Sequence, residues 1–144
     1  MSANNLVEKA IALALEGHKD QKDKSGLPYI LHPLRVMLKM DNEEEMIPAV
    51  LHDILEDTKI SESRLLAEGI SADSMAIIKL LTRNYNDDYL SYAQKIKPNK
   101  IASKIKKADI TDNVNLLRLQ QLNESDLERL NNYIKAFKIL SEEQ

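Results

Sequence analysis

The residues best suited to do chemistry lie close together in the middle of the chain, in the segment AVLHDILEDT at positions 49–58. His52 and Asp53 are adjacent, and Glu56 and Asp57 follow about one helical turn later. If this segment is one helix, residues four apart share a face, so His52 lies beneath Glu56 and Asp53 beneath Asp57. An imidazole and several carboxylates in an apolar segment are costly to bury unless a cation or a hydrogen-bond network satisfies them. The pattern therefore predicts a metal site that supports hydrolysis.

Further candidate ligands lie in two other segments, at His32 and at Asp109. Together with His52 and Asp53 they supply two imidazoles and two carboxylates. That set suits Mn²⁺, Fe²⁺ or Zn²⁺, and it leaves positions for water if the coordination is octahedral. His52 and Asp53 are about 100° apart around a helix, so both can reach an ion above the ridge between them.

More polar residues are expected beside that ion. Glu56 and Asp57, one turn after the ligand pair, would be placed to orient or deprotonate a water molecule. Asn113 is four residues after Asp109 and shares its helix face, so its amide can reach the same substrate.

Each histidine or carboxylate taken alone also has an ordinary structural explanation. His32, within the segment YILHP, fits a buried structural histidine as well as it fits a ligand. Asp109 fits a solvated carboxylate on a helix. His18, at the end of an apolar helix face, fits best with a core histidine whose hydrogen bonds are satisfied. The metal interpretation therefore rests on the whole set.

The composition indicates one all-α domain rather than a membrane, secreted or nucleic-acid-binding protein. Of the 144 residues, 43% are hydrophobic and only 4% are aromatic, so the core must be built from aliphatic side chains. Three glycines and four prolines favour helices joined by short loops. The sequence has no cysteine, no apolar run near the ~20 residues of a membrane span and no signal-like N-terminus, which predicts a soluble, cytoplasmic protein. The net charge of −3 argues against nucleic acid as a partner, and the sequence leaves the oligomeric state open.

About eight helices are predicted within a single domain, residues 1–144. Their ends are indicated by apolar periodicity, by caps and by prolines. The first predicted helix has an apolar face over residues 6–18, the second runs from Pro33 to residue 40, and the third, capped by Asp41 or Asn42, carries the acidic motif. Two short helices follow, capped by Ser61 and Ser71, and then a helix from residues 87–88 to 96. A longer helix is predicted from Lys100 to about residue 121, and the last helix begins at a capping box of Ser125 and Glu128 and ends near Leu140.

The lysines of the chain are concentrated in one stretch, with six of them at positions 95–107 and no acidic residue among them. Such a stretch fits a solvated helix face. It also fits a phosphate-attracting rim beside the acidic centre, and both interpretations stay open at this point.

Three segments together resemble a known family. They are KSGLPYILHP at positions 24–33, LHDILEDT at 51–58, and KKAD at 106–109 followed by Asn113. The chain resembles the HD-domain metal hydrolases, and within them the hydrolase domain of the RelA/SpoT alarmone enzymes and their small stand-alone relatives. The pieces keep the order of the family and extend over nearly the whole chain, which makes the set far more specific than any one motif.

The resemblance implies a compact HD-domain helical bundle and a role for each matching residue. By these matches the metal ligands, usually for Mn²⁺, are His32, His52, Asp53 and Asp109. The pair that activates water is Glu56 and Asp57. The substrate-binding residues are Lys24, Ser25, Asn113 and Tyr133. The implied reaction is removal of the 3′-pyrophosphate from guanosine tetra- or pentaphosphate (ppGpp or pppGpp) by metal-activated water. Its products are GDP or GTP and pyrophosphate.

The sequence departs from the family around the expected base and sugar site. Asp23 stands just before Lys24, where long family members usually have an arginine that packs on the base. Ile110 replaces a basic residue, and Asn115 and Leu116 replace an arginine and a small polar residue. Hydrolysis is therefore expected more firmly than guanine specificity. Two alternatives stay open: a phosphohydrolase for another phosphorylated nucleotide or a phosphomonoester, and a non-catalytic nucleotide-binding regulatory module.

Overall fold

The computed structural model describes residues 3–142, so the outermost residues of the predicted domain, 1–2 and 143–144, lie outside the described part. The described residues form helices and no β-strand, with one isolated bridge between Lys22 and Pro28. The all-α class is thus confirmed. The helices are α1 (Ala3–Gly17), α2 (Leu31–Leu38), α3 (Glu43–Val50), the single-turn α4 (Ile54–Asp57), α5 (Glu62–Ala67), α6 (Ala72–Leu81), α7 (Tyr89–Ile96), α8 (Lys100–Asn113) and α9 (Glu124–Ser141), with a 3₁₀ turn at Leu116–Arg118.

Helix α3 lies at the centre of the packing and brings the candidate ligands together. It packs against α1, α2 and α6, while α8 packs against α2, α6 and α9. The buried apolar residues of these helices form one aliphatic cluster, as the scarcity of aromatics requires. Its largest fully buried side chains include Leu51, Ile54, Leu65, Ile78, Ile96 and Ile105. No helix among residues 3–142 is both long and apolar enough to cross a membrane.

Most predicted helix starts are observed. The side chains of Asn42, Ser61 and Ser71 each accept a hydrogen bond from the backbone N–H three residues later and cap α3, α5 and α6. Asp88 caps α7 in the same way. These short polar side chains satisfy donors that have no partner within the helix.

The helix predicted to carry the whole acidic motif is interrupted, so the predicted stacking of His52 on Glu56 and of Asp53 on Asp57 is wrong. Helix α3 ends at Val50, and His52 and Asp53 lie in a turn before α4. The His52 Nδ1 donates to the carbonyl oxygen of Ala49 at 2.6 Å, which is the acceptor that a continuing helix would offer to the N–H of Asp53. The N–H of Ile54 bonds only three residues back, to Leu51.

The C-terminal helices also differ from the prediction. Helix α8 ends at Asn113 rather than near residue 121, and the Asn115 side chain accepts the N–H of Leu117 in the 3₁₀ turn that follows. The capping box of α9 is formed by Asn123 and Asp126, not by Ser125 and Glu128. Asn123 Oδ1 accepts the N–H of Asp126 at 2.8 Å, and Asp126 Oδ2 accepts the N–H of Asn123 at 3.1 Å. This reciprocal pair satisfies the helix start two residues before the predicted one.

Candidate metal centre and its cavities

The four predicted metal ligands come from three elements and converge on one point. His32 lies in the first turn of α2, His52 and Asp53 lie in the turn after α3, and Asp109 lies on α8. His32 Nε2 is 2.9 Å from Asp109 Oδ1, and His52 Nε2 is 3.1 Å from Asp53 Oδ2. The diagonal distances are 3.5 Å from His52 Nε2 to Asp109 Oδ1 and 3.7 Å from His32 Nε2 to Asp53 Oδ2. Both histidines and Asp109 are buried.

Hydrogen bonds on the far side of each imidazole point its Nε2 atom into the cluster. The His52 Nδ1 donates to a carbonyl oxygen, so a neutral His52 carries its lone pair on Nε2. The His32 Nδ1 is 2.6 Å from Asp112 Oδ2, and Arg35 donates to the two carboxylate oxygens of Asp112 at 2.7 and 3.0 Å. Carboxylate and carbonyl partners of this kind orient histidines that bind metals.

The two carboxylates of the cluster attract positive charge in a buried place. Burial alone would lower the pKa of His52, but the charges of Asp53 and Asp109 raise it well above its ordinary value. Burial alone would raise the pKa of Asp53, but His52 brings it to about 2. Burial alone would also raise the pKa of Asp109, but Lys106 and His52 hold it well below its ordinary range. Both carboxylates are therefore ionised at neutral pH, and a cation among them would balance their charge.

The donor atoms fit a divalent metal ion. The Nε2 atoms of His32 and His52 are buried, and neither makes a hydrogen bond of acceptable geometry within the described residues. One atom each from His32, His52 and Asp109 lie within 4.8 Å of one another. Ligand atoms about 2.1 Å from an ion lie roughly 3.0–3.4 Å apart in octahedral or tetrahedral arrangements, which is close to the distances observed here. The cluster could therefore hold Mn²⁺, Fe²⁺ or Zn²⁺.

Three polar side chains hold the carboxylates of this cluster. The Tyr29 hydroxyl donates to Asp53 Oδ2. Asp109 accepts from Lys106 Nζ at Oδ2 and from Asn113 Nδ2 at Oδ1, both at 2.8 Å. The amide of Asn113, which is predicted to reach the substrate, therefore also holds a candidate metal ligand. The sequence interpretation assigned no role to Tyr29 or Lys106, although both lie in the motifs that carry the resemblance.

Asp112 and Arg35 were also missed, although spacing could have found them. Asp112 follows Asp109 by three residues on α8, and Arg35 follows His32 by three residues on α2. Residues three apart share a helix face, so Asp112 lies beside the candidate ligand Asp109 on α8 and Arg35 lies beside His32 on α2. The charged side chains of Asp112 and Arg35 then meet between the two helices.

Glu56 and Asp57 lie in the wall of a cavity of about 220 Å³ that also contains Asp53 and Asp109. Glu56 Oε1 accepts the backbone N–H of Arg83 at 2.7 Å, which fixes one carboxylate oxygen. Partial burial, with a contribution from the charge of Asp57, raises the pKa of Glu56. A carboxylate whose pKa moves toward neutrality is a better general base.

The predicted substrate-binding residues line a second cavity of about 220 Å³, which shares Tyr29, Asn113 and Tyr133 with the first. Lys24 and Ser25 lie in its wall, and Lys24 Nζ forms a 2.7 Å ion pair with Asp126 on α9. Together the adjoining cavities reach the ~300–1,000 Å³ typical of small-molecule sites. Hereafter the cavity that contains Glu56 and Asp57 is called the acidic cavity, and the one that contains Lys24 and Ser25 is called the loop cavity.

The departures from the family pattern have structural roles of their own. Asp23 Oδ1 accepts hydrogen bonds from Ser25 N, Ser25 Oγ and Leu27 N, each at 2.9 Å, so this carboxylate stabilises its own loop. Ile110 is buried in the core, and Asn115 lines the loop cavity. Of the six lysines at positions 95–107, Lys106 is the one that lines either cavity, so this stretch does not form a phosphate-attracting rim.

The third histidine, His18, is buried as predicted, but only one of its two ring nitrogens has a hydrogen-bond partner among the described residues. His18 Nδ1 donates to Gln21 Oε1 at 2.9 Å, while its Nε2 has no hydrogen-bond partner among the described residues. Its ring packs against Tyr29 with centroids 5.0 Å apart. His18 therefore supports the tyrosine that holds Asp53 and lies outside the ligand cluster.

Comparison with known proteins agrees with the resemblance found in the sequence. A guanosine-3′,5′-bis(diphosphate) 3′-pyrophosphohydrolase of Aquifex aeolicus is 48% identical over 56 residues, which are 36% of this chain and 8% of that protein. A probable enzyme of the same name from Synechocystis is 41% identical over 66 residues, or 43% of this chain and 9% of that protein. The matched segments thus span less than a tenth of these curated relatives. No family model matches the chain.

A solved structure has the same fold over most of the chain. It is described as a metazoan ortholog of SpoT that hydrolyses ppGpp, and it superposes with a TM-score of 0.76 and 20% identity. The match extends over 94% of this chain and 85% of the other. These likenesses confirm the resemblance to RelA/SpoT-type hydrolase domains.

Proposed function

We propose that residues 1–144 form one HD-type domain that acts as a metal-dependent phosphohydrolase, with guanosine 3′,5′-bis(diphosphate), ppGpp, or its pentaphosphate as substrate. The observation that carries this proposal is the convergence of His32, His52, Asp53 and Asp109 beside a cavity lined by Glu56 and Asp57. The curated relatives named above and the shared fold support the choice of substrate.

The ligand set supports a single divalent cation, for which we propose Mn²⁺, with Fe²⁺ and Zn²⁺ as alternatives. When bound by His32, His52, Asp53 and Asp109, such an ion would make water more acidic and offset the negative charge of the phosphoryl group. Tyr29 keeps Asp53 in place and Lys106 keeps Asp109 ionised, so both carboxylates would be available to hold the ion. We further propose that the protein works in the cytoplasm.

Glu56 and Asp57 are the candidate proton acceptors. Because Arg83 N–H fixes one oxygen of Glu56, the other oxygen can take a proton from water in the acidic cavity. In the reaction, water attacks the phosphorus attached to the ribose 3′ oxygen, and the bond between that phosphorus and the 3′ oxygen breaks. The 3′ oxygen takes up a proton, and the products are GDP and pyrophosphate, or GTP and pyrophosphate from the pentaphosphate.

The loop cavity is the candidate site for the nucleoside part of the substrate. Lys24, Ser25, Asn113 and Tyr133 all lie in its wall, which supports their proposed role in substrate binding. Lys24 is steadied by Asp126, which Arg129 also contacts at 2.5 Å. The shared wall of the two cavities would let one substrate reach from the nucleoside site to the metal centre.

A hydrolase for a different phosphorylated nucleotide is the second candidate. It is favoured by Asp23, which occupies the position of the base-packing arginine and uses its Oδ1 within the loop. Without that arginine, stacking on guanine loses one contribution, so the chain would discriminate less between bases.

The two candidates are separated by pyrophosphate release from purified protein, with and without Mn²⁺. Substrates are guanosine tetraphosphate, the adenosine analogue, GTP and a simple phosphomonoester, and Asp53→Ala is the inactive control. We expect Mn²⁺-dependent release from guanosine tetraphosphate that disappears in Asp53→Ala. Faster turnover of another nucleotide would favour the second candidate, while tight nucleotide binding without turnover of any substrate would indicate a regulatory module.

A further inference from the structure

The wall of the acidic cavity contains a cation that is paired with no carboxylate of the described residues. Arg83 lies in the loop after α6, is exposed, and lines the cavity together with Glu56 and Asp109. Within the described part of the chain its guanidinium makes no ion pair with any carboxylate. Instead it lies over the ring of Tyr89, with Cζ 5.3 Å from the ring centroid.

The other cation in this wall is already neutralised. Lys106 is largely buried and donates to Asp109 Oδ2 at 2.8 Å, and its ammonium lies 5.4 and 5.1 Å from the ring centroids of Tyr89 and Tyr92. Arg83 is therefore the cation of this cavity that can meet an incoming anion. A planar guanidinium offers paired N–H donors that match two oxygens of a phosphoryl group.

A second donor without a partner lies beside it. The Tyr89 hydroxyl is buried, and its O–H has no acceptor among the residues that the structure describes. A buried hydroxyl without a partner is unfavourable, and a ligand oxygen would satisfy it. The ring of Tyr89 thus positions Arg83, and its hydroxyl offers one more donor within the same wall.

We propose that Arg83 and Tyr89 form the subsite for the terminal phosphoryl group of the leaving pyrophosphate, an inference that rests on the proposed function. The phosphoryl group under attack lies at the metal centre, and the phosphoryl group beyond it extends toward Arg83. This makes Arg83 a specificity-determining residue that favours a pyrophosphoryl over a monophosphoryl leaving group. Its backbone N–H, which holds Glu56, is unaffected by a change of side chain.

The test is calorimetric binding of inorganic pyrophosphate and of orthophosphate to the Mn²⁺-loaded protein. Arg83→Gln removes the charge, Arg83→Lys keeps it, and Tyr89→Phe removes only the hydroxyl. Lys95→Gln is the matched control, because Lys95 is 63% exposed, lies outside the cavity wall and gives the same change in net charge.

We expect Arg83→Gln to weaken pyrophosphate binding by about 10- to 100-fold, since a hydrogen bond to a charged group contributes roughly that much. Orthophosphate binding should change by less than about threefold, Arg83→Lys should recover part of the loss, and Tyr89→Phe should weaken pyrophosphate severalfold. Lys95→Gln should bind both anions like the wild type. The proposal is overturned if Arg83→Gln binds pyrophosphate normally, if it loses both anions equally, or if the wild type does not bind pyrophosphate.

Failure of this subsite can be told apart from failure of the proposed function. Pyrophosphate binding can be measured without turnover. If the wild type does not hydrolyse guanosine tetraphosphate, the proposed function fails, but a selective loss of pyrophosphate binding in Arg83→Gln would still support the subsite. Conversely, an active wild type with unchanged pyrophosphate binding in Arg83→Gln would remove the subsite alone.

Discussion

Asp112 is expected to control metal affinity without touching the metal. Its Oδ2 lies 2.6 Å from His32 Nδ1, and Arg35 holds both of its oxygens. Burial alone would raise the pKa of Asp112, but the hydrogen bonds from His32 and Arg35 hold it far below its ordinary value, so the carboxylate is ionised at neutral pH. It fixes the imidazole and makes its Nε2 a stronger donor to a metal ion.

Asp112→Asn keeps the size of the side chain and removes its charge. A charge-assisted hydrogen bond is about twice as strong as a neutral one, and carboxylates behind a metal-binding histidine are worth roughly 10- to 100-fold in affinity. We therefore expect the dissociation constant for Mn²⁺ to rise by about 10- to 100-fold, or ~1.4–2.7 kcal/mol. Arg35→Gln, which acts through Asp112, should give a smaller loss.

The assay is a calorimetric Mn²⁺ titration at constant pH, with circular dichroism to show that each variant is folded. Asp73→Asn is the control, since Asp73 is an exposed carboxylate in the first turn of α6 and its removal gives the same change in net charge. The reasoning is refuted if folded Asp112→Asn binds Mn²⁺ within about threefold of the wild type.

Three further predictions concern stability and are checked by urea denaturation. Asn123→Ala should lower the free energy of unfolding by about 1 kcal/mol because it removes the cap of α9, whereas Ser125→Ala should change it by less than about 0.5 kcal/mol. Ile105→Ala should cost about 2–5 kcal/mol, since Ile105 is fully buried in the core. The hydrogen bond from Lys104 lowers the pKa of Glu45, so Glu45 stabilises the fold above its ordinary pKa of 4.5 and loses this effect as the pH falls through the folded value. Glu45→Gln should therefore cost up to about 1 kcal/mol at pH 7 and nothing measurable near about pH 2.

Each of these predictions can fail clearly. A larger effect for Ser125→Ala than for Asn123→Ala would restore the helix start predicted from the sequence. A cost for Ile105→Ala no greater than that of Leu38→Ala, where the side chain is 73% exposed, would contradict the described core. A constant effect of Glu45→Gln across the pH range would exclude the ion pair with Lys104 as its cause.

Sequence spacing identified the residues that converge but not the backbone that makes them converge. His52 and Asp53 were expected about 100° apart on a continuous helix, with both side chains reaching an ion above the ridge between them. In the structure the helix stops, because His52 Nδ1 takes the carbonyl of Ala49 and the following turn brings His52 Nε2 within 3.1 Å of Asp53. A side chain that competes for a backbone acceptor leaves no periodic signal in the sequence.

Residues that act across helices were harder to predict than residues within a motif. Arg83 and Tyr89 lie outside the three segments that carry the resemblance, and only the fold, which lines one cavity with α7, α8 and the loop after α6, places them in the same wall as Asp109. The fold class followed from composition and periodicity, since few aromatics and few glycines leave an aliphatic helical core as the economical solution. The end of α8 at Asn113 was missed because several polar residues in this stretch could end or cap a helix, and a single sequence does not show which of them does so.

The central claim is that one cluster binds a divalent cation while Glu56 acts on water beside it. It is tested most directly by measuring bound Mn²⁺ and pyrophosphate release from guanosine tetraphosphate in the same preparations of wild type and Glu56→Gln. We expect Glu56→Gln to bind Mn²⁺ with wild-type affinity and to lose at least about 100-fold in rate, since a positioned general base contributes roughly 10²–10⁴. Full activity in a Mn²⁺-loaded Glu56→Gln variant would contradict the account.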